Sequence, residues 1–224
     1  RDNRRTKKKT HRFEVIGYES YSNRQFKFDM RMSGRITFDV DVIVDNLNHT
    51  LIAGGYYAEK VFSKANGTFY LRAPLGDPAS ATLKFEEFNN TLLETVEGKN
   101  RRQKKFLTQI RVKDLIPRRD GGVLIVGEKF KRLDSRTATG TLQSRQFAGF
   151  TPFVSDYYFD DIFIVTHHPD GELHWTNFFY KRQYSKNDSG VFSSYFVMKT
   201  PSQLRFLFND EIIQNTTVST YNVK

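Results

Sequence analysis

Three histidines close in sequence, His167, His168 and His174, are the residues of this chain best spaced for metal chemistry. A tight turn at Asp170-Gly171 is expected to bring His167 and His174 opposite each other across a hairpin, and two imidazoles on one face can begin a zinc site. A complete site needs third and fourth ligands, for which Asp160, Asp161 and Glu172 are only loosely placed, so the expectation is a hairpin without a metal. Asp160-Asp161 has the residue types of a glycosidase carboxylate pair. Neighbours on a strand point to opposite faces, however, and do not converge on one substrate. No GxSxG elbow occurs and no Ser–His–acid order stands out. Asp120-Gly121-Gly122 reads as a hairpin turn, not as the strand-to-helix loop that cradles a phosphate. The chain has no cysteine, which removes thiol nucleophiles, Cys-based metal sites and disulfides. These observations predict no catalytic residue, no metal and no cofactor, and a non-enzymatic protein.

Binding chemistry is better represented. The net charge of +10 is concentrated in residues 1–12, with seven Lys/Arg and one Asp, and in 99–105, with five Lys/Arg; the rest of the chain sums to −1. Lys99, Arg101, Arg102, Lys104 and Lys105 are therefore candidate contacts for an acidic protein or an anionic surface. The alternative reading of both runs is a solvated tail and a solvated loop. Aromatic residues are not interleaved with these cations, since Phe13 and Phe106 merely follow them, so nucleic acid is not the expected partner. A second candidate is a ligand cleft lined by Tyr157, Tyr158, Trp175 or Tyr180, whose rings would suit sugars in a glycan-binding module or hydrolase. Such rings also serve as core.

The elements that must position these residues are strands. FEVIGYESY and RQFKFDMRM alternate apolar and polar residues. RITFDVDVIVD, LIAGGYYAEKVF, NGTFYLRA and SATLKFEEF form a four-strand set around the Asp45–His49 turn, with Gly54-Gly55 able to supply a bulge or a close backbone approach. FLTQIRVKDLIP, VLIVGEKF, DIFIVTHH and ELHWTNFFYKR form a second set, with turns at Arg119–Gly122 and Pro169–Gly171 and an irregular stretch expected over about 131–156. SSYFVMKTPSQLRFLFND opens a third. Asp41, Val42, Ile43, Leu51, Ile52, Ala53, Gly54 and Tyr57 recur, 73 residues on, as Asp114, Leu115, Ile116, Leu124, Ile125, Val126, Gly127 and Phe130. A repeat of this kind predicts an all-β fold of propeller-like antiparallel blades, about two and a half of them over residues 13–224 after a basic segment 1–12. A sandwich or barrel is the alternative. Asn-x-Ser/Thr triplets at Asn48, Asn66, Asn89, Asn187 and Asn215 are expected to be turn chemistry.

NGTFYL at 66–71, DGGVLIVGE at 120–128, YYFDDIFIV at 157–165, PDGELHW at 169–175, NDSGVFSSY at 187–195 and LRFLFND at 204–210 lie in one order within residues 40–212. Together they resemble an uncharacterised group of secreted or envelope-associated β-propeller-like proteins of Bacteroidetes bacteria. The resemblance implies an exported protein, periplasmic, outer-membrane-associated or extracellular, with a leader upstream of Arg1. It brings no catalytic residues. The expected function is protein–protein or surface interaction, with the loops 97–105 and 131–156 as contacts because function concentrates on exposed loops; the exported setting that the resemblance implies makes a cargo or accessory subunit of an outer-membrane secretion or transport assembly one version of it. No apolar run is long enough to span a membrane as a helix.

Overall fold

A computed structural model of the chain describes residues 11–19, 21, 24–97, 105–136, 153–209 and 218–223. The fold is all-β. Strands β1 (Arg12–Glu19) and β2 (Arg24–Arg31) form a hairpin. Strands β3 (Ile36–Asp45), β4 (Thr50–Ala58), β5 (Gly67–Pro74) and β6 (Thr82–Glu87) form an antiparallel sheet in sequence order. Strands β7 (Ile110–Pro117), β8 (Val123–Arg136), β9 (Phe153–His167) and β10 (Leu173–Lys186) form a second four-stranded sheet, again with sequence neighbours side by side. Strands β11 (Phe196–Lys199), β12 (Leu204–Asn209) and β13 (Val218–Val223) form a third sheet. No described helix is long and apolar enough to cross a membrane.

Two details depart from the sequence expectation. The stretch read as irregular over 131–156 is strand at both ends, because β8 continues to Arg136 and β9 begins at Phe153; residues 137–152 lie outside the described residues. Charged residues and serines, KRLDSR at 131–136 and FVSD at 153–156, hid the strand signal there. A short helix, α1 (Asn90–Glu97), was not expected. Its signal is local: Asn89 caps it by accepting the Leu92 N–H at 2.8 Å on Oδ1, and Leu92, Leu93 and Val96 fall on one buried face.

The described contacts gather into two compact units, Arg1–Gly127 with Phe163–Phe178, and Glu128–Ile162 with Phe179–Lys224. The interior of the first is apolar. Tyr56, Phe88, Leu92, Leu93, Val96, Leu107, Phe163 and Val165 form one cluster, and Ile52, Tyr70, Leu115, Val123 and Ile125 another. The repeat marks the first hairpin of each four-stranded sheet, β3–β4 and β7–β8. Its glycines are close-approach positions: a Cβ on Gly54 would lie 2.8 Å from Leu115 Cδ1, and one on Gly127 would collide with the Phe163 ring and the Tyr56 hydroxyl. A bulge in β3 between Phe38 and Asp41 holds Asp39 at φ 50°, where its carboxylate accepts the Val112 N–H at 2.5 Å.

Candidate interaction site

In the second unit, the pleat of β10 turns Phe179, Lys181, Gln183 and Ser185 inward and leaves Tyr180, Arg182, Tyr184 and Lys186 exposed. A lysine in phase with a core phenylalanine must find partners or lose its charge. Lys181, 2% exposed, meets fully buried Glu128 of β8 at 2.9 Å. Its Nζ also donates to the Phe159 carbonyl at 2.8 Å and to Gln183 Oε1 at 2.9 Å. Burial pulls the Lys181 pKa down, opposed by the charge of Glu128 and then by Asp160 and Asp161. Burial pushes the carboxyls of Asp160 and Asp161 up. Asp161 accepts the Lys181 backbone N–H at 3.3 Å.

The same network fixes the loop after β10. Gln183 Oε1 accepts the Ser194 N–H at 2.6 Å, and its Nε2 donates to the Asn209 carbonyl at 2.6 Å. The Ser194 hydroxyl donates to Glu128 Oε2 at 2.8 Å, and Asn209 Nδ2 donates to the Phe192 carbonyl at 3.2 Å. Asn187 exchanges hydrogen bonds with the Ser155 backbone, and Asp188 accepts the Gly190 N–H. Residues Asn187, Ser189, Gly190 and Ser194 all have positive φ, so the turn chemistry expected at Asn187 is present, made by side-chain acceptors close to their own backbone. Held this way, the loop displays Val191 and Phe192, 72% and 66% exposed, beside Phe196 and Val218, 64% and 61% exposed. These four, with Leu207 and Phe208, line an open groove of about 400 Å³. The arrangement offers an apolar contact surface on a hydrogen-bonded frame, and none of the chain's five histidines falls in this unit.

The sequence candidates distribute differently. Lys99, Arg101, Arg102 and Lys104 lie outside the described residues; Lys105 is exposed, and its carbonyl accepts Asn66 Nδ2 at 2.9 Å. Tyr157 is buried, whereas its neighbour Tyr158 turns to the other face of β9 and packs on Tyr184 with ring centroids 5.2 Å apart. Those two therefore share no platform. Tyr180 is 60% exposed, and its carbonyl accepts the Tyr221 hydroxyl at 3.4 Å. Trp175 is half-buried in the first unit, beside His174. Adjacent strand positions thus separate two of the candidate rings, and of the four Tyr180 is the exposed one.

The histidine expectation is corrected by the hairpin register, since it is the His168 N–H that bonds across the turn, to the Glu172 carbonyl at 2.8 Å. His167 is fully buried, with Tyr70 stacked on it at 5.5 Å. Its Nδ1 faces the Gly171 carbonyl at 3.1 Å, which can only accept, so Nδ1 carries the proton and Nε2 accepts from the Thr68 hydroxyl at 3.3 Å. Burial lowers its pKa. His168 and His174 share the outer face, centroids 4.2 Å apart, and Arg118 Nη1 lies 2.6 Å from His174 Nδ1. Among the described residues no group of three or more potential ligands assembles.

Sequence reasoning missed Lys181, Glu128, Gln183 and Ser194. The available signal was the alternation FFYKRQYSK, which places Lys181 in phase with Phe179. Comparison of the chain with protein families, curated proteins and solved structures returns no match.

Proposed function

We propose that the chain is a non-enzymatic binding protein, exported to the bacterial envelope, that acts by protein–protein contact through the groove around Phe192 and Phe196. The observation that carries this reading is large apolar side chains held in solvent by a buried hydrogen-bonded frame. Exposed apolar patches of this sort mark interaction sites, and a loop ordered before contact loses less entropy on binding. The β architecture is read as propeller-like blades, supported by the 73-residue repeat and by the in-order pairing of β3–β6 and β7–β10. The envelope setting, and a secretion or transport assembly as partner, rest on the resemblance of the motifs in residues 40–212. Cations at 99–105 supply a second, electrostatic contact in this reading.

The test is capture from detergent-solubilised envelope fractions with the full chain as bait, read by mass spectrometry. The wild type should retain a stoichiometric envelope protein, and the pair Phe192→Ser and Phe196→Ser should lose it while unfolding within about 0.5 kcal/mol of wild type, as exposed substitutions do. Neutralising Arg101, Arg102, Lys104 and Lys105 should weaken capture mainly at low salt. Retention of the same partner by the Phe variant would move the contact away from the groove. Specific retention on a glycan panel, with no protein partner, would replace this reading with a sugar-binding one.

A further inference from the structure

The Lys181–Glu128 pair has a chemistry that ion-pair stabilisation does not use. Its two charges are 2.9 Å apart and at most 2% exposed. The Phe159 and Phe208 rings stand 5.9 and 6.0 Å from Nζ. Glu128 Oε1 touches the ammonium but makes no aligned hydrogen bond, while Oε2 receives the Ser194 hydroxyl. Keeping two charges out of water carries a desolvation cost for each ion that their attraction must offset. A neutral amide in their place would carry no such cost.

We propose that Lys181 and Glu128 condense into an intramolecular amide, a covalent bond from β10 to β8 inside the second unit of a chain that has no cysteine to bridge. One ammonium proton passes to Glu128 Oε1, and the freed amine lone pair adds to Cδ. The Ser194 hydroxyl stabilises the negative charge that develops on Oε2, in the manner of an oxyanion donor. Oε1 leaves as water. Of the three ammonium hydrogens, two depart in that water and one remains on the amide nitrogen, so nothing is oxidised or reduced. The Phe159 carbonyl and Gln183 Oε1 hold the nitrogen in place through the addition. Burial, which lowers the Lys181 pKa, makes the free amine easier to reach.

The intact mass of the folded, then denatured, full chain reads the outcome. The wild type should be lighter than its sequence by one water, and a protease map should yield one branched peptide containing residues 128 and 181. Lys181→Met should have its full sequence mass. Ser194→Ala should form the bond at least tenfold more slowly after refolding, a readout that needs no stability comparison. A wild-type chain at sequence mass, with both residues in linear peptides, overturns the proposal. Loss of ammonia instead of water would place the amide on Gln183, and would also overturn it.

Discussion

The two units solve the problem of an interior in opposite ways. In the first, a buried polar group such as His167 is tied locally, its Nδ1–H to the Gly171 carbonyl and its Nε2 to the donating Thr68 hydroxyl, and the bulk is contact between apolar side chains. In the second, a lysine, a glutamate, a glutamine and a serine share one buried network that reaches from β8 across β10 to β12. An apolar interior tolerates exchange of like for like, provided volume is kept. A polar network is all-or-none: each member is another's partner, and removing one strands the rest.

The sharpest way to break this contrast is Lys181→Met, which leaves Glu128 buried without a countercharge. A loss of about 3–5 kcal/mol is expected in urea unfolding; adding Glu128→Leu should recover the part due to the stranded charge, while the part due to the lost covalent link stays. Complete recovery would mean that no covalent link between Glu128 and Lys181 contributes to the wild type. In the first unit the comparable lesion is steric. Gly127→Ala would push a methyl group into Phe163 and Tyr56, and should cost about 1–3 kcal/mol.

Acid should then separate the units. The folded-state pKa of His167 is lowered below its ordinary 6.5, so the unfolded chain binds the proton more readily. Its contribution is intact above pH 6.5 and is lost as pH falls through and below that value. Asp160 and Asp161 are shifted upward from 3.8, so acidification relieves rather than strains the second unit. Trp175, the one tryptophan, lies in the first unit and reports on it. Its fluorescence melt should move to lower temperature between pH 7 and pH 5, and His167→Gln should shrink that movement. A smaller effect is expected at α1, where Asn89→Ala removes the cap and should cost about 1 kcal/mol by chemical denaturation.

Much of the first unit was legible in the sequence because its information is local. The Asp45–His49 turn, the Asp-Gly turns at 120–121 and 170–171, and the period-two alternation each specify a strand end or a face within a few residues. Gly54 and Gly127 were visible as repeat partners, although the side chains that need their missing Cβ atoms come from distant sequence. The network of the second unit was illegible for a physical reason. Glu128, Lys181 and Ser194 are ordinary surface residue types, and only pairing across β8, β9 and β10 tells which of many such residues turn inward together. The histidines misled because a turn signal does not fix register: the hairpin closes at His168, so His174 shares a face with His168 and His167 turns inward.

Asn66 and Gly67 carry a consequence for the chemical ageing of the chain. An asparagine followed by glycine loses its amide in flexible peptides, when the side-chain carbonyl carbon is attacked by the next backbone nitrogen. Here both ends of the carboxamide are occupied, Oδ1 by the Glu59 N–H at 2.9 Å and Nδ2 by the Lys105 carbonyl at 2.9 Å. Gly67 is already fixed in β5, paired with Tyr57 on one side and Glu87 on the other. The ring closure that would start deamidation needs both residues to rotate out of these bonds. The folded protein therefore protects this bond over time, and the appearance of aspartate or isoaspartate at position 66 would record how long a molecule had spent unfolded.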